Sequence, residues 1–155
     1  MERHLQQPIR YPNMPLLLLK ARDGLLQHFR PILNHYGVTE QQWRIMRALS
    51  EAQMLEPREL CDLCQISSPS MSGILARMEE TGWLARSKFE GDQRRRQVQL
   101  SRAGAGLMNE MGRLIDLQYE NLEAAYGKQV FEDMRLALEA FVALEDVPVA
   151  PAQAD

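Results

Sequence analysis

Between residues 14 and 36 the apolar positions Leu18, Leu25, Leu26, Phe29, Ile32, Leu33 and Tyr36 recur at helical spacing. That spacing predicts one amphipathic helix. Pro31 lies inside it and predicts a kink or break, because its ring collides with the turn before it. Gly37 is placed to end it. Thr39-Glu40-Gln41-Gln42 has the form of a capping box and opens a second helix with Trp43, Ile45, Met46 and Leu49. Pro57 stands near the start of a third helix carrying Leu60, Leu63 and Cys64, where its missing N–H is harmless. Ser67 or Ser68 caps a fourth, with Pro69 in its first turn. Here Met71, Ile74, Leu75 and Met78 fall at i, i+3, i+4 and i+7, a face to be buried. The opposite face presents Ser68, Pro69, Ser72, Gly73, Ala76 and Arg77.

After this helix the pattern shortens to that of a hairpin. An apolar strand leads to a tight turn at Glu90, Gly91 and Asp92, then to Arg94, Arg95 and Arg96, and a second strand runs from Gln97 to Leu100. A small-faced helix followed by a basic-tipped hairpin is the layout of a winged helix-turn-helix. Ser101 caps a long helix over Arg102–Tyr126, Gly127 breaks it, and a last helix runs from Lys128 to Leu144. These two helices carry Leu107, Met111, Ile115, Leu122, Phe131, Leu138 and Phe141, among others. A DNA-binding module needs little of this apolar surface. With the first helix it forms a second layer, expected to serve homodimerisation; a purely intramolecular core is the alternative. The expected fold class is mainly α with a small β-wing, a winged helix-turn-helix plus a helical dimerisation region. The expected domain layout is an N-terminal arm over 1–13, one domain over 14–146 with its DNA-binding part at about 39–101, and a disordered tail over 147–155.

Charge sharpens this picture. Residues 67–102 hold seven bases (Arg77, Arg86, Lys88, Arg94, Arg95, Arg96, Arg102) against four acids (Glu79, Glu80, Glu90, Asp92), a local +3. The rest of the chain holds 11 bases and 17 acids, a net −6 within a total of −3. A basic patch on an acidic body orients a polyanion, and salt should weaken that binding steeply. Double-stranded DNA is the expected partner. The candidate contacts are Ser68, Pro69, Ser70, Ser72, Gly73 and Arg77 on the helix, and Arg86, Lys88, Asp92, Arg94, Arg95 and Arg96 on the hairpin. Small side chains let a helix sit deep in a groove, and Arg77 can reach a phosphate or a guanine edge. A merely solvated hairpin tip would leave three adjacent arginines repelling one another for no purpose.

Other chemistries find little support. No Gly-x-Ser-x-Gly, phosphate-binding loop or paired metal motif occurs, and the three histidines at 4, 28 and 35 lack ligand spacing, so neither an enzyme nor a metal or cofactor site is expected. The apolar run Met14–Leu19 is interrupted by Pro15, stops at Lys20 and is far too short to span a membrane. With no signal-like start, a cytoplasmic location is expected. Cys61 and Cys64 sit three apart on the third helix. They read as small core residues, or alternatively as a thiol-based redox sensor, although bridging them mid-helix would strain the geometry.

Arg22 lies between Leu18 and Leu25 on the apolar stripe of the first helix, with no acid at i±3 or i±4. A buried guanidinium needs an anion, either a protein carboxylate from elsewhere or the carboxylate of a ligand. Trp43 offers a core residue or an aromatic wall, with Arg47 one turn on. His28 and His35 read as structural or surface histidines, with His35 a secondary candidate contact.

The segment Asp92-Gln-Arg94-Arg-Arg-Gln-Val98-Gln-Leu100-Ser101 resembles the D-x-R-x-x-x-V-x-L-[ST] signature of the MarR family of transcriptional regulators, and the order of elements matches over about residues 14–145. Phe29-Arg-Pro-Ile-Leu33, Thr39-Glu-Gln-Gln-Trp43-Arg-Ile45 and Pro69-Ser-Met-Ser-Gly-Ile-Leu75-Ala-Arg77-Met-Glu79 are similar to the branch that regulates homoprotocatechuate degradation. The resemblance implies a homodimer whose recognition helices enter successive major grooves of a pseudo-palindromic operator. It implies a minor-groove wing arginine, here Arg94, held by Asp92. It also implies a repressor of an aromatic-compound catabolic operon, released by a small aromatic or heteroaromatic carboxylate. Arg22, His35, Trp43 and Arg47 are the candidate effector contacts.

Overall fold

A computed structural model describes residues 10–89, 92–144 and 148, with the side chains of 87–89 and 92–95 outside the description. The described elements run α1 (Met14–Leu26), α2 (Arg30–His35), α3 (Glu40–Ala52), β1 (Met54–Leu55), α4 (Pro57–Cys64), α5 (Ser68–Glu80), β2 (Leu84–Phe89), β3 (Asp92–Leu100), α6 (Arg102–Tyr126) and α7 (Lys128–Val142). The chain divides into two compact units, Met1–Ile115 and Asp116–Asp155. Of the expected arm only residues 10–13 are described, and of the expected tail only residue 148.

The expected single helix over 14–36 is two helices. Pro31 cannot coexist with an α-helical carbonyl four residues earlier, at Gln27. The chain accordingly tightens there: His28 N–H donates to Leu25 O at 3.2 Å and Phe29 N–H to Leu26 O at 2.9 Å, i→i−3 bonds in place of i→i−4. The proline then stands in the first turn of α2. Gly37, at φ +65°, closes α2. Val38 N–H reaches back to Leu33 O at 3.0 Å, and both side chains are buried, the hydrophobic contact that accompanies this type of helix stop.

The Thr39 capping box is present in both directions. Gln42 N–H donates to Thr39 Oγ1 at 3.2 Å, and Thr39 N–H donates to Gln42 Oε1 at 2.8 Å. It starts α3 with Ile45, Met46 and Leu49 turned inward. These residues, with Leu60 and Cys64 of α4 and Met71, Ile74, Leu75 and Met78 of α5, form one core cluster. Leu33, Val38 and Ile66, with Leu55, Leu84 and Val98 of the sheet and Met108 and Met111 of α6, complete it.

The sheet is antiparallel in the order β1-β3-β2. β1 escapes the sequence reading because two residues carry no period; it is a strand only because Met54 and Leu55 pair with Gln99 and Val98. β3 also begins earlier than Gln97. Its backbone is already paired at Asp92, opposite Phe89, with a register slip between Lys88 and Phe89. Arg94, Arg95 and Arg96 therefore lie within β3 rather than in the turn: Arg96 is paired with Lys88, and Arg94 and Arg95 fall at the register slip.

The second unit contains the end of α6 and all of α7. Gly127, at φ +96°, separates them, and the rings of Tyr126 and Phe131 lie 6.2 Å apart across the break. On α7, Arg135 bridges Glu132 and Glu139. Its guanidinium and the Glu132 carboxylate favour each other's charged state: Arg135 is shifted upward and Glu132 downward.

Candidate nucleic-acid interface

Helix α4 stops at Gln65, which adopts left-handed φ +51°. A non-glycine residue pays for that conformation, and two bonds offset it: Gln65 Nε2 donates to Asp62 O at 2.7 Å, and Ile66 N–H donates to Cys61 O at 3.1 Å. Ile66 is buried and anchors the turn. Ser67 then enters as the N-cap of α5. Its hydroxyl bonds to Ser70 Oγ at 3.0 Å and caps no backbone N–H.

On α5, Met71, Ile74, Leu75 and Met78 are buried, as their spacing predicts. Ser68, Pro69, Ser70, Ser72, Gly73, Ala76 and Arg77 are exposed. Gly73 is informative: a Cβ built there would meet only the Arg77 guanidinium, at 3.7 Å, an ordinary contact. Helix packing within the chain therefore gives no reason for glycine at this position. A helix locked on one face, with small and polar side chains on the other, is shaped to enter a groove.

The wing stands beside it. Arg86 of β2 is paired with Glu79 of α5, which ties the hairpin to the helix and makes Arg86 an orienting cation rather than a free one. Arg96 is exposed, and its Cα is opposite Lys88. The side chains of Lys88, Asp92, Arg94 and Arg95 lie outside the described residues, as does the expected Asp92–Arg94 contact. Arg58 of α4 was missed by the sequence reading. It is exposed and shares a concavity of about 790 Å³ with Ser67, Ser68 and Ser72 at the start of α5. A lone arginine on a polar helix face has no periodicity to betray it.

The four expected effector contacts do not converge within the described chain. Arg22 is not desolvated: its side chain is 54% exposed and pairs with Glu40 of α3. Of the two anions expected for it, the protein carboxylate is the one present, and α1 has no buried residue in the single chain. Trp43 and Arg47 share a concavity of about 540 Å³ with Arg44, Ala48, Leu63 and Cys64. Arg22 lines a different one, with Leu19, Lys20, Asp23 and Gly24. His35 lines neither of these two and packs edge-on against Tyr36. Arg47 pairs with Glu51 at 3.3 Å. Arg44, which the sequence reading passed over, donates to the Cys64 carbonyl at 2.5 Å and stands 4.0 Å from Glu40. Its i,i+4 relation to Glu40 was the available signal.

Cys61 and Cys64 are free thiols, half-buried and buried respectively. Burial pushes the Cys64 thiol up against the smaller opposing effect of Arg44, so it stays protonated at neutral pH and is a poor nucleophile. Among the described residues, no helix is long and apolar enough to cross a membrane.

Comparison with known proteins agrees with this architecture. A MarR family model matches residues 36–95. The homoprotocatechuate degradative operon repressor of Escherichia coli is 35% identical over 143 residues, 89% of this chain and 97% of that one. The crystal structure of NadR in complex with 4-hydroxyphenylacetate is 33% identical, covers 91% of this chain and 100% of its own, and superposes with a TM-score of 0.80. A mutant MarR from E. coli complexed with operator DNA shares the fold at a TM-score of 0.74, with 17% identity over 83% of this chain and 92% of that one. With its winged DNA-binding fold and near full-length likeness to a repressor, this chain belongs to the MarR family of transcriptional regulators, and is not an enzyme.

Proposed function

We propose that the chain is a homodimeric repressor in the cytoplasm. It binds a pseudo-palindromic operator through α5 and the wing and is released by a small aromatic or heteroaromatic carboxylate. The observation that carries the DNA reading is α5 itself, held by four buried residues while its small, polar face is exposed and ends in Arg77. The local +3 over residues 67–102 supplies the attraction to phosphates. Dimerisation is supported by apolar helices left uncovered in the single chain: Leu16, Leu17, Leu18 and Leu19 on α1, and Val130, Leu136, Phe141 and Val142 on α7.

For the effector, Trp43 and Arg47 are the favoured pair, because they line one concavity and offer an aromatic wall beside a carboxylate-binding fork. Arg22 and His35 are secondary, since neither lines that concavity. That NadR was solved with 4-hydroxyphenylacetate makes this acid the first probe. An effector acts only through its differential affinity for the two states, so a hundredfold loss of DNA affinity requires about 2.7 kcal/mol.

One titration tests both parts. Purified protein is mixed with a duplex that it selects from a random pool, with and without 4-hydroxyphenylacetate and related acids. Arg94→Ala should bind this operator far more weakly at unchanged helical content. Arg47→Ala should bind it normally and ignore the acid. Normal operator binding by Arg94→Ala would remove the wing from the mechanism, and normal release of Arg47→Ala would move the effector elsewhere.

A further inference from the structure

The exit of α5 is fastened to the entrance of α6. After Glu80 the chain turns through Gly82, at φ +76°, with Trp83 N–H donating to Met78 O at 2.9 Å. The carbonyls of this turn face Ser101. Trp83 O accepts the Ser101 N–H at 2.9 Å, and Gly82 O accepts the Ser101 hydroxyl at 2.5 Å. The same hydroxyl oxygen accepts the Gly104 N–H at 3.0 Å. A single hydroxyl, with one proton and two lone pairs, therefore caps α6 and holds the end of α5 at once.

Gly104 closes the joint. A Cβ built on it would lie 2.1 Å from Trp83 O, 3.0 Å from Trp83 C and 3.2 Å from Trp83 Cα. All three neighbours are backbone, so no flexible side chain can move aside. A methyl group there must push the Trp83 carbonyl away by about 1.3 Å or more to reach an ordinary contact. Gly104 has an ordinary helical role otherwise, as it sits in the first turn of α6 and no positive φ is recorded for it. The requirement for glycine is thus the close approach of two backbones, one following the groove-facing helix and the other starting the longest helix of the chain.

We propose that Ser101 and Gly104 are positioning residues for DNA recognition, clasping the Gly82–Trp83 turn to α6 and so setting where α5 stands. The proposal rests on the reading of α5 as the helix that enters DNA. Base contacts require side chains to meet base edges in register, whereas phosphate attraction tolerates displacement. Loosening the clasp should therefore cost operator affinity and spare affinity for random sequence. The loss of one base-pair contact is enough to weaken binding roughly tenfold or more.

The test compares wild type, Gly104→Ala, Ser101→Ala and Ser101→Thr by titration against the selected operator, the same operator with one base pair inserted at its centre, and a scrambled duplex of equal length. Circular dichroism follows folding. Gly104→Ala and Ser101→Ala should remain helical, bind the scrambled duplex as wild type does, and lose roughly tenfold or more on the operator. Their discrimination against the inserted base pair should shrink. Ser101→Thr keeps the hydroxyl and should restore operator binding. If Gly104→Ala fails to fold, the Ser101 pair decides. Wild-type operator affinity in folded Ser101→Ala, or a parallel loss on both operator and scrambled duplex, would overturn the proposal by reducing the clasp to a fold contact. A wild-type protein with no operator preference would remove the DNA reading itself and the clasp with it.

Discussion

Helices α5 and α7 are written in the same way and end up differently. Both alternate apolar and polar positions at helical spacing. On α5 the apolar set disappears into a core shared with α3, α4 and the sheet. On α7 no residue is buried, and Phe141 is 64% exposed. Amphipathicity thus records that a face wants to leave water; it does not record what will cover it. For α5 the cover is the chain itself, which fixes the helix and leaves its other face exposed. For α7, as for α1, the cover proposed above is a second copy.

The contrast should first show itself in stability. Leu75→Ala removes a fully enclosed side chain and should cost about 2–5 kcal/mol in chemical denaturation. Leu138→Ala on α7 should cost far less in a dilute, dissociated sample. Equal losses at the two positions would mean that α7 is buried in the isolated chain after all.

Self-association is the next and smaller effect. Phe141→Glu places a charge on an exposed apolar position, so the fold should persist. Sedimentation velocity over a dilution series should show dimer dissociation shifted by about tenfold or more. An unchanged dissociation curve would exclude this part of α7 from the interface.

The smallest effect carries a sign that separates the two helices most clearly. Gly73→Ala adds a methyl group on the exposed face of α5, in ordinary contact with the Arg77 guanidinium, and replaces a poor helix former. It should raise stability by up to about 1 kcal/mol. The same methyl group should weaken operator binding a few-fold, roughly in line with about 1 kcal/mol for an imperfect fit. Stabilisation together with undiminished operator affinity would show that the small face of α5 is not what enters the groove.

What was legible in the sequence was local. The Thr39–Gln42 box, the buried quartet of α5, the cap at Ser101 and the break at Gly127 each depend on residues within a turn or two, so spacing alone reveals them. The family signature around Asp92–Ser101 is equally short. Even the helix break was legible in kind at Pro31, although its place, three or four residues earlier, follows from the carbonyl that the ring displaces.

Tertiary structure alone decided the contacts made across long stretches of chain. Arg22 meets Glu40, 18 residues on, Arg44 meets the Cys64 carbonyl, 20 on, and Gly82 O meets Ser101, 19 on. Met54 becomes a strand residue only by pairing with Gln99. No periodicity encodes such pairs, because they arise when separately specified elements are packed and each buried or strained group takes whatever partner the packing brings. The sequence by itself therefore determined the helical segments, the wing hairpin and which face of each helix is apolar. Folding decided that Arg22 finds a protein carboxylate, that the arginines of the wing ride on a strand, and that a glycine at 104 lets two backbones touch.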